Sequence, residues 1–128
     1  MSPSIARFAL ESHTGPYESW PTKSRLLVDG VLTDQRLPGY SLLHQFLLDD
    51  GFLLVTDYDC PFEECTNFIL LDARIKKRAS RSLGVPYGSF LSEKIEQLAA
   101  THFVATFYTD DRWSLSIEGG KLSLKRIE

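Results

Sequence analysis

The clearest pattern in the chain is an alternation of apolar and polar side chains near the C-terminus. In residues 112–118, three large apolar side chains alternate with polar ones, which is the pattern of a strand with one buried and one wet face. Gly119 and Gly120 follow, and residues 121–125 alternate again. Two alternating runs around a Gly-Gly pair predict a β-hairpin.

The middle of the chain predicts a second hairpin, centred on Asp49-Asp50-Gly51 and flanked by residues 41–48 and 52–58. An Asp-Gly pair tolerates the positive φ of a tight hairpin turn. Residues 52–55 are apolar at every position, so we expect this strand to be central and buried on both faces.

Further strands are expected at residues 66–73 and 102–109, which are rich in β-branched and aromatic side chains. Residues 5–10 and 26–28 are weaker strand candidates, and Leu37-Pro38-Gly39 predicts a type II turn. The one helical pattern lies near residues 90–100, where a short helix is expected; a strand over residues 94–98 is the alternative.

Seven to nine strands joined mostly by tight turns predict an all-β fold, a mostly antiparallel meander. With 128 residues, the chain has the size of one domain, residues 1–128, which would close as a barrel or pack as a two-layer sandwich.

Composition excludes several classes of protein. Hydrophobic residues make up 43% of the chain and charged residues 24%, as in ordinary globular proteins, and the net charge of −3 disfavours a nucleic-acid binder. No apolar run reaches the roughly 20 residues that span a bilayer, and residues 1–10 lack the features of a signal peptide. A cytoplasmic protein with no membrane association is therefore expected.

An acidic segment places four carboxylates within eight residues, at Asp57, Asp59, Glu63 and Glu64. Clustered carboxylates bind calcium or magnesium, but the spacing differs from that of an EF-hand loop. A solvated hairpin loop is the favoured interpretation, with a divalent cation site as the alternative. Tyr58 and Phe62 lie in the same predicted loop, and loop aromatics are typical anchors of protein interfaces.

A basic run follows, in which Arg74, Lys76, Lys77, Arg78 and Arg81 stand without an intervening acid. Segregated charge can steer a partner of opposite sign. One interpretation is a docking patch for an acidic protein or a phosphate-bearing ligand. The other is a solvated edge strand, because Lys and Arg protect edges from aggregation.

Motifs of catalysis and cofactor binding are missing from the sequence, and no cofactor is expected. Cys60 and Cys65 are separated by four residues and are expected to be free thiols, a disulfide across the turn being the alternative in an oxidising compartment. Phosphate-binding glycine loops and nucleophile elbows do not occur.

The sequence therefore predicts a non-enzymatic binding protein that acts through charged surface patches, an inhibitor- or immunity-like partner of another protein. The alternative is a β-barrel or sandwich that binds a small ligand or a divalent metal, and a small hydrolase ranks below both. Residues 40–48 carry few charges, so a homodimer through this edge strand is also considered.

Overall fold

The computed structural model describes residues 7–16, 19–21, 23–57, 65–84, 92–107 and 111–127. These ranges contain eleven β-strands and no α-helix. The strands are β1 (Phe8–Leu10), β2 (Lys23–Val28), β3 (Val31–Pro38), β4 (Ser41–Leu48), β5 (Gly51–Asp57), β6 (Cys65–Asp72), β7 (Lys77–Gly84), β8 (Ser92–Ala99), β9 (His102–Phe107), β10 (Asp111–Glu118) and β11 (Lys121–Arg126).

The strands form three antiparallel sheets. The first sheet has the order β1-β2-β3, the middle sheet β4-β5-β6-β7 and the third sheet β11-β10-β9-β8. Every neighbouring pair in a sheet is also consecutive along the chain. Each sheet is thus a simple meander, as expected when short turns join the strands.

The central strands of the middle sheet, β5 and β6, are buried on both faces because two hydrophobic clusters lie on opposite sides of them. Alternate residues of β5 and β6 enter different clusters, as the two-residue period of a strand requires. The cluster shared with the first sheet comprises Phe8, Leu26, Leu37, Phe52, Leu54, Ile69 and Leu71. The cluster shared with the third sheet comprises Leu48, Leu53, Val55, Phe68, Leu70, Phe103, Ala105, Leu115 and Leu122.

The all-β, antiparallel prediction is confirmed, but its finer form is corrected. Eleven strands exceed the expected seven to nine, and three stacked sheets replace the expected two layers. The described strands form no closed barrel. The additional layer is the first sheet, in which only Ser24, Leu26 and Leu37 of β2 and β3 are fully buried, so its apolar pattern is weak.

The helix expected near residues 90–100 is wrong, since Ser92–Ala99 is strand β8 and pairs with β9. A helix would place Ile95 and Leu98 on one buried face. In the structure Ile95 packs against the core, whereas Leu98 is 56% exposed. The alternative strand over residues 94–98 describes this segment correctly.

Glycine has different roles in two of the hairpins. Gly119 and Gly120 both have positive φ, 59° and 76°, and join β10 to β11 as predicted. Gly51 instead lies within β5, opposite Leu48, and its φ is not positive. A Cβ at Gly51 would collide with the carbonyl oxygen of Leu71. Gly51 therefore permits a close approach of β5 and β6, while Asp49 and Asp50 form the turn.

Two glutamine side chains fasten the first sheet to the middle sheet. Gln45 of β4 accepts hydrogen bonds from the backbone N–H groups of Arg7 and Phe8, at 2.9 and 2.8 Å, and donates one to the Phe8 carbonyl at 3.0 Å. Gln35 of β3 donates to the carbonyl of Ile75. A side-chain amide carries both a donor and an acceptor, so it can make the hydrogen bonds that the backbone of a neighbouring strand would otherwise make.

Candidate functional site

The connection between β6 and β7 is a compact turn organised by Asp72. One of its carboxylate oxygens, Oδ1, accepts the backbone N–H groups of Arg74 and Lys76 at 2.8 and 3.0 Å. Ile75 adopts a left-handed conformation, with φ of 64°, which is uncommon for a β-branched residue. The turn therefore holds the basic residues in a defined arrangement.

The same contacts hold the pKa of Asp72 below its ordinary value. The hydrogen bond from the Lys76 backbone makes the largest contribution, assisted by that from Arg74 and by the positive charges of Arg78 and Lys76. Hydrogen bonds to a carboxylate favour its ionised form. Asp72 is thus a carboxylate throughout the neutral range.

Four cations surround this turn, namely Arg74, Lys76, Lys77 and Arg78, and we call this group the basic hairpin. All four are exposed. Among the described residues, none of their side chains forms an ion pair or a hydrogen bond. Their charges are thus available to a ligand.

Arg81, the remaining residue of the basic run, has a contact that the other four lack. Its Nε donates a hydrogen bond to the carbonyl of Leu122 at 3.1 Å. This bond joins β7, at the edge of the middle sheet, to β11 of the third sheet. Arg81 therefore connects two layers of the fold, and the basic run does not form one uniform patch.

A cleft of about 550 Å³ opens beside the basic hairpin, where the turns of four hairpins converge. We call it the turn cleft. Its lining residues include two aspartates, two arginines, a threonine and a glycine turn. These are Asp50, Asp72, Arg74, Arg78, Thr101 and Gly119-Gly120.

Because Gly119 and Gly120 have no side chain, one wall of the turn cleft consists of backbone only. A Cβ added at Gly119 would meet nothing within 4 Å, and one at Gly120 would lie 3.6 Å from Nε of Arg78. The Arg78 guanidinium thus lies close to the exposed backbone of this turn. Sequence analysis identified the two arginines, but it did not connect them with Asp50, Thr101 or the glycine turn.

A second, shallower cleft of about 720 Å³ lies on the opposite side of the basic hairpin, against the first sheet. Its lining includes Val28, Asp34, Lys76 and Lys77, and Arg74 contributes to both clefts. The four cations are therefore divided between two faces, with Arg78 facing the third sheet and the two lysines facing the first.

The structure describes only part of the acidic segment. Asp57 is the last residue of β5 and is 5% exposed, so it does not belong to a solvated loop as expected. The other predicted residues, Asp59, Glu63, Glu64, Tyr58 and Phe62, lie outside the described residues, as does Cys60. Within the part of the chain that the structure describes, no three His, Cys, Asp or Glu residues are grouped as metal ligands.

Uncharged polar side chains form a hydrogen-bond network at the end of the middle sheet nearest Asp57, reaching from the exposed Ser82 into the buried interior. Ser82 donates to Oδ1 of Asn67 at 2.6 Å, and Nδ2 of Asn67 donates to Thr56 at 3.2 Å. The Thr56 hydroxyl in turn donates to the carbonyl of Pro38 at 2.7 Å. Thr56 and Asn67 are almost completely buried. Such chains of satisfied hydrogen bonds specify a fold.

Two Ser–His pairs occur, His13–Ser24 at 2.8 Å and His102–Ser114 at 2.6 Å. Ser24 is fully buried, and its hydroxyl donates to the Gly39 carbonyl at 2.7 Å. That proton is therefore not directed at His13, as a nucleophile activated by a base requires. His102 has no hydrogen-bonded carboxylate among the described residues, so neither pair forms a triad.

Comparison with known proteins finds no match to a family model, to a curated protein or to a solved structure. Within the described ranges, no helix has the length and hydropathy needed to cross a bilayer.

Proposed function

We propose that this chain is a non-enzymatic binding protein, inhibitor- or immunity-like, whose basic hairpin docks onto an acidic surface of a partner protein. The observation that carries the proposal is the set of four exposed cations with no ion pair among the described residues. Charges left unpaired on a surface steer and orient a partner of opposite sign.

The rigidity of the turn supports this proposal. Asp72 holds the backbone of Arg74 and Lys76 through two hydrogen bonds, so less conformational freedom is lost when a partner binds. A hydrolase receives less support, because neither Ser–His pair has the contacts of an activated nucleophile.

Partner capture with matched charge variants tests the proposal. The tagged chain is incubated with cytoplasmic extract, the compartment that the sequence predicts, at low and moderate salt. The hairpin variant carries Lys76→Glu and Lys77→Glu, which lie outside the turn cleft. The control carries Lys23→Glu and Lys125→Glu, which have the same charge change at exposed positions on other sheets.

A docking partner should be captured by the wild type and the control, lost by the hairpin variant, and weakened by salt, because salt screens exposed charges. Direct titration of the purified partner then gives the affinity. Equal capture by both variants, or capture insensitive to salt, would refute docking through the basic hairpin.

A second candidate function, the binding of a small ligand, is favoured by the volume of the turn cleft. About 550 Å³ lies within the range of roughly 300–1,000 Å³ found for small-molecule sites. A divalent cation at the acidic segment also stays a prediction, and a calcium or magnesium titration followed by thermal stability tests it. A homodimer through β4 is tested by light scattering, since β4 is an edge strand with Leu43 and Leu47 exposed.

A further inference from the structure

The turn cleft brings charges of both signs together without pairing them. Asp50, Asp72, Arg74 and Arg78 all line it. No salt bridge joins any two of them, although all four residues line one cleft. Two positively and two negatively charged residues therefore line the same open cleft.

A ligand with a single kind of charge fits this cleft poorly. A simple anion would be attracted by the two arginines but repelled by the two aspartates, and a simple cation would meet the reverse. A ligand that carries both a carboxylate and an ammonium group can pair with each. We infer that the turn cleft binds a small zwitterion of the amino-acid or dipeptide class, with its carboxylate toward Arg74 and Arg78 and its ammonium group toward Asp50 and Asp72.

The remaining walls agree with this ligand class. Leu70 and Ile117 contribute apolar surface at the base of the cleft, which suits an aliphatic side chain. Thr101 offers a hydroxyl, and the glycine turn offers backbone at a wall with no side chain. Arginine binds carboxylates through two parallel hydrogen bonds, which orients the ligand as well as attracting it.

The turn positions the carboxylate of Asp72 through hydrogen bonds to one of its oxygens. Its Oδ1 accepts two backbone hydrogen bonds, while Oδ2 has no hydrogen-bond partner among the described residues. The lowered pKa of Asp72 keeps the carboxylate charged at neutral pH. The inference concerns a small molecule and does not depend on the partner protein proposed above.

The test is a titration of the wild-type chain with three forms of one dipeptide, L-alanyl-L-leucine. The first is the free zwitterion, the second is N-acetylated and lacks the ammonium group, and the third is the carboxamide and lacks the carboxylate. Binding is followed by two-dimensional NMR of the backbone amides of Thr101, Gly119 and Gly120 and of the Nε–H groups of Arg74 and Arg78.

The zwitterion should shift these five signals at millimolar concentration, and removal of either charge should weaken binding by about tenfold or more, as expected for a lost charge-assisted hydrogen bond. The inference is overturned if the zwitterion leaves these signals unchanged, if it shifts others instead, or if the acetylated form binds equally well, which would indicate a plain anion site. These outcomes need no mutant and are independent of protein capture.

Two variants then test which residues recognise the carboxylate and the ammonium group of the ligand. Arg78→Gln should reduce the protein's preference for the ligand's carboxylate, and Asp50→Asn should reduce its preference for the ammonium group. Lys125→Gln, an exposed lysine of β11 that does not line the cleft, should bind all three forms as the wild type does. An Arg78→Gln variant that distinguishes the carboxamide from the zwitterion as strongly as the wild type does would contradict the assignment.

Discussion

The two ends of the β5–β6 strand pair contain polar residues in opposite states. At the end near Asp57, Thr56 and Asn67 are buried, uncharged and joined by hydrogen bonds. At the opposite end, beside the β4–β5 and β6–β7 turns, Asp50, Arg74 and Arg78 are charged, exposed and without ion pairs among the described residues. Polar groups that serve the fold are satisfied internally, and those left unsatisfied at the surface are the ones available for binding.

The difference also explains where function is expected. Buried networks lose stability when altered, because each deleted group leaves a partner unsatisfied. Exposed charged residues can be substituted without that loss of stability, since water hydrates the groups around them. Four experiments test this comparison, and they follow in order of the expected effect.

Gly51→Ala is expected to have the largest effect, although it lies at the charged end of the strand pair. A Cβ would collide with the Leu71 carbonyl oxygen, which belongs to the backbone of a buried strand. Overpacking of this kind costs about 3 kcal/mol of unfolding free energy. Urea denaturation measures it, with Gly119→Ala compared as a turn glycine that has open space but positive φ. A loss at Gly51 no larger than about 0.5 kcal/mol would show that the strands separate easily.

Asn67→Ala tests the buried end directly. It removes the donor to Thr56 and the acceptor for Ser82, and it should lower the unfolding free energy by about 2 kcal/mol. Ser82→Ala removes only one of these bonds and should cost about 1 kcal/mol. If both variants were as stable as the wild type, the network would not specify the fold.

A pH series tests His44, whose pKa is lowered below its ordinary value of 6.5 because burial disfavours the charged ring. The unfolded chain then binds a proton more readily than the folded one. The stability contributed by neutral His44 is thus complete above pH 6.5 and is lost as the pH falls toward its folded pKa. In the His44→Gln variant, this loss of unfolding free energy at low pH should disappear. Urea denaturation at a series of pH values measures it. If the variant and the wild type had the same pH profile of stability, the assignment of this pH dependence to His44 would be wrong.

Arg74→Gln together with Arg78→Gln should have the smallest effect on stability. Neither guanidinium has a partner among the described residues, so the unfolding free energy should stay within about 0.5 kcal/mol of the wild type. Arg81→Gln serves as the contrast, because it loses the bond to Leu122 and should cost about 1 kcal/mol. A large loss in the double variant would mean that these arginines are structural.

Strong local patterns predicted the parts of the fold that depend on neighbouring residues. The run from Phe52 to Val55 is apolar at every position, and β5 is indeed buried on both faces. The hairpin at Gly119-Gly120 follows from two local features, alternation and turn chemistry. The Asp29-Gly30 turn, with φ of 51° and 83°, carried the same signal but was not identified.

Features that depend on how the sheets stack could not be predicted. Ser92–Ala99 has a helical pattern of apolar residues, and only its pairing with β9 makes it a strand. The basic residues of the candidate site were identified from the sequence. The turn cleft was not, because Asp50, Thr101 and Gly119 are distant in sequence and meet only where separate hairpins end side by side.

The glutamine contacts of the first sheet also decide which layers can slide. Gln45 holds β1 at one edge, and Gln35 holds the β6–β7 connection at the other. A shift of this sheet along the middle one would break hydrogen bonds at both edges at once. Between the middle and third sheets, apolar packing is accompanied by the Arg81–Leu122 hydrogen bond. When a ligand in the turn cleft displaces one layer, we therefore expect the third sheet to slide along the middle sheet. Thr101 and the glycine turn of the third sheet form one wall of that cleft.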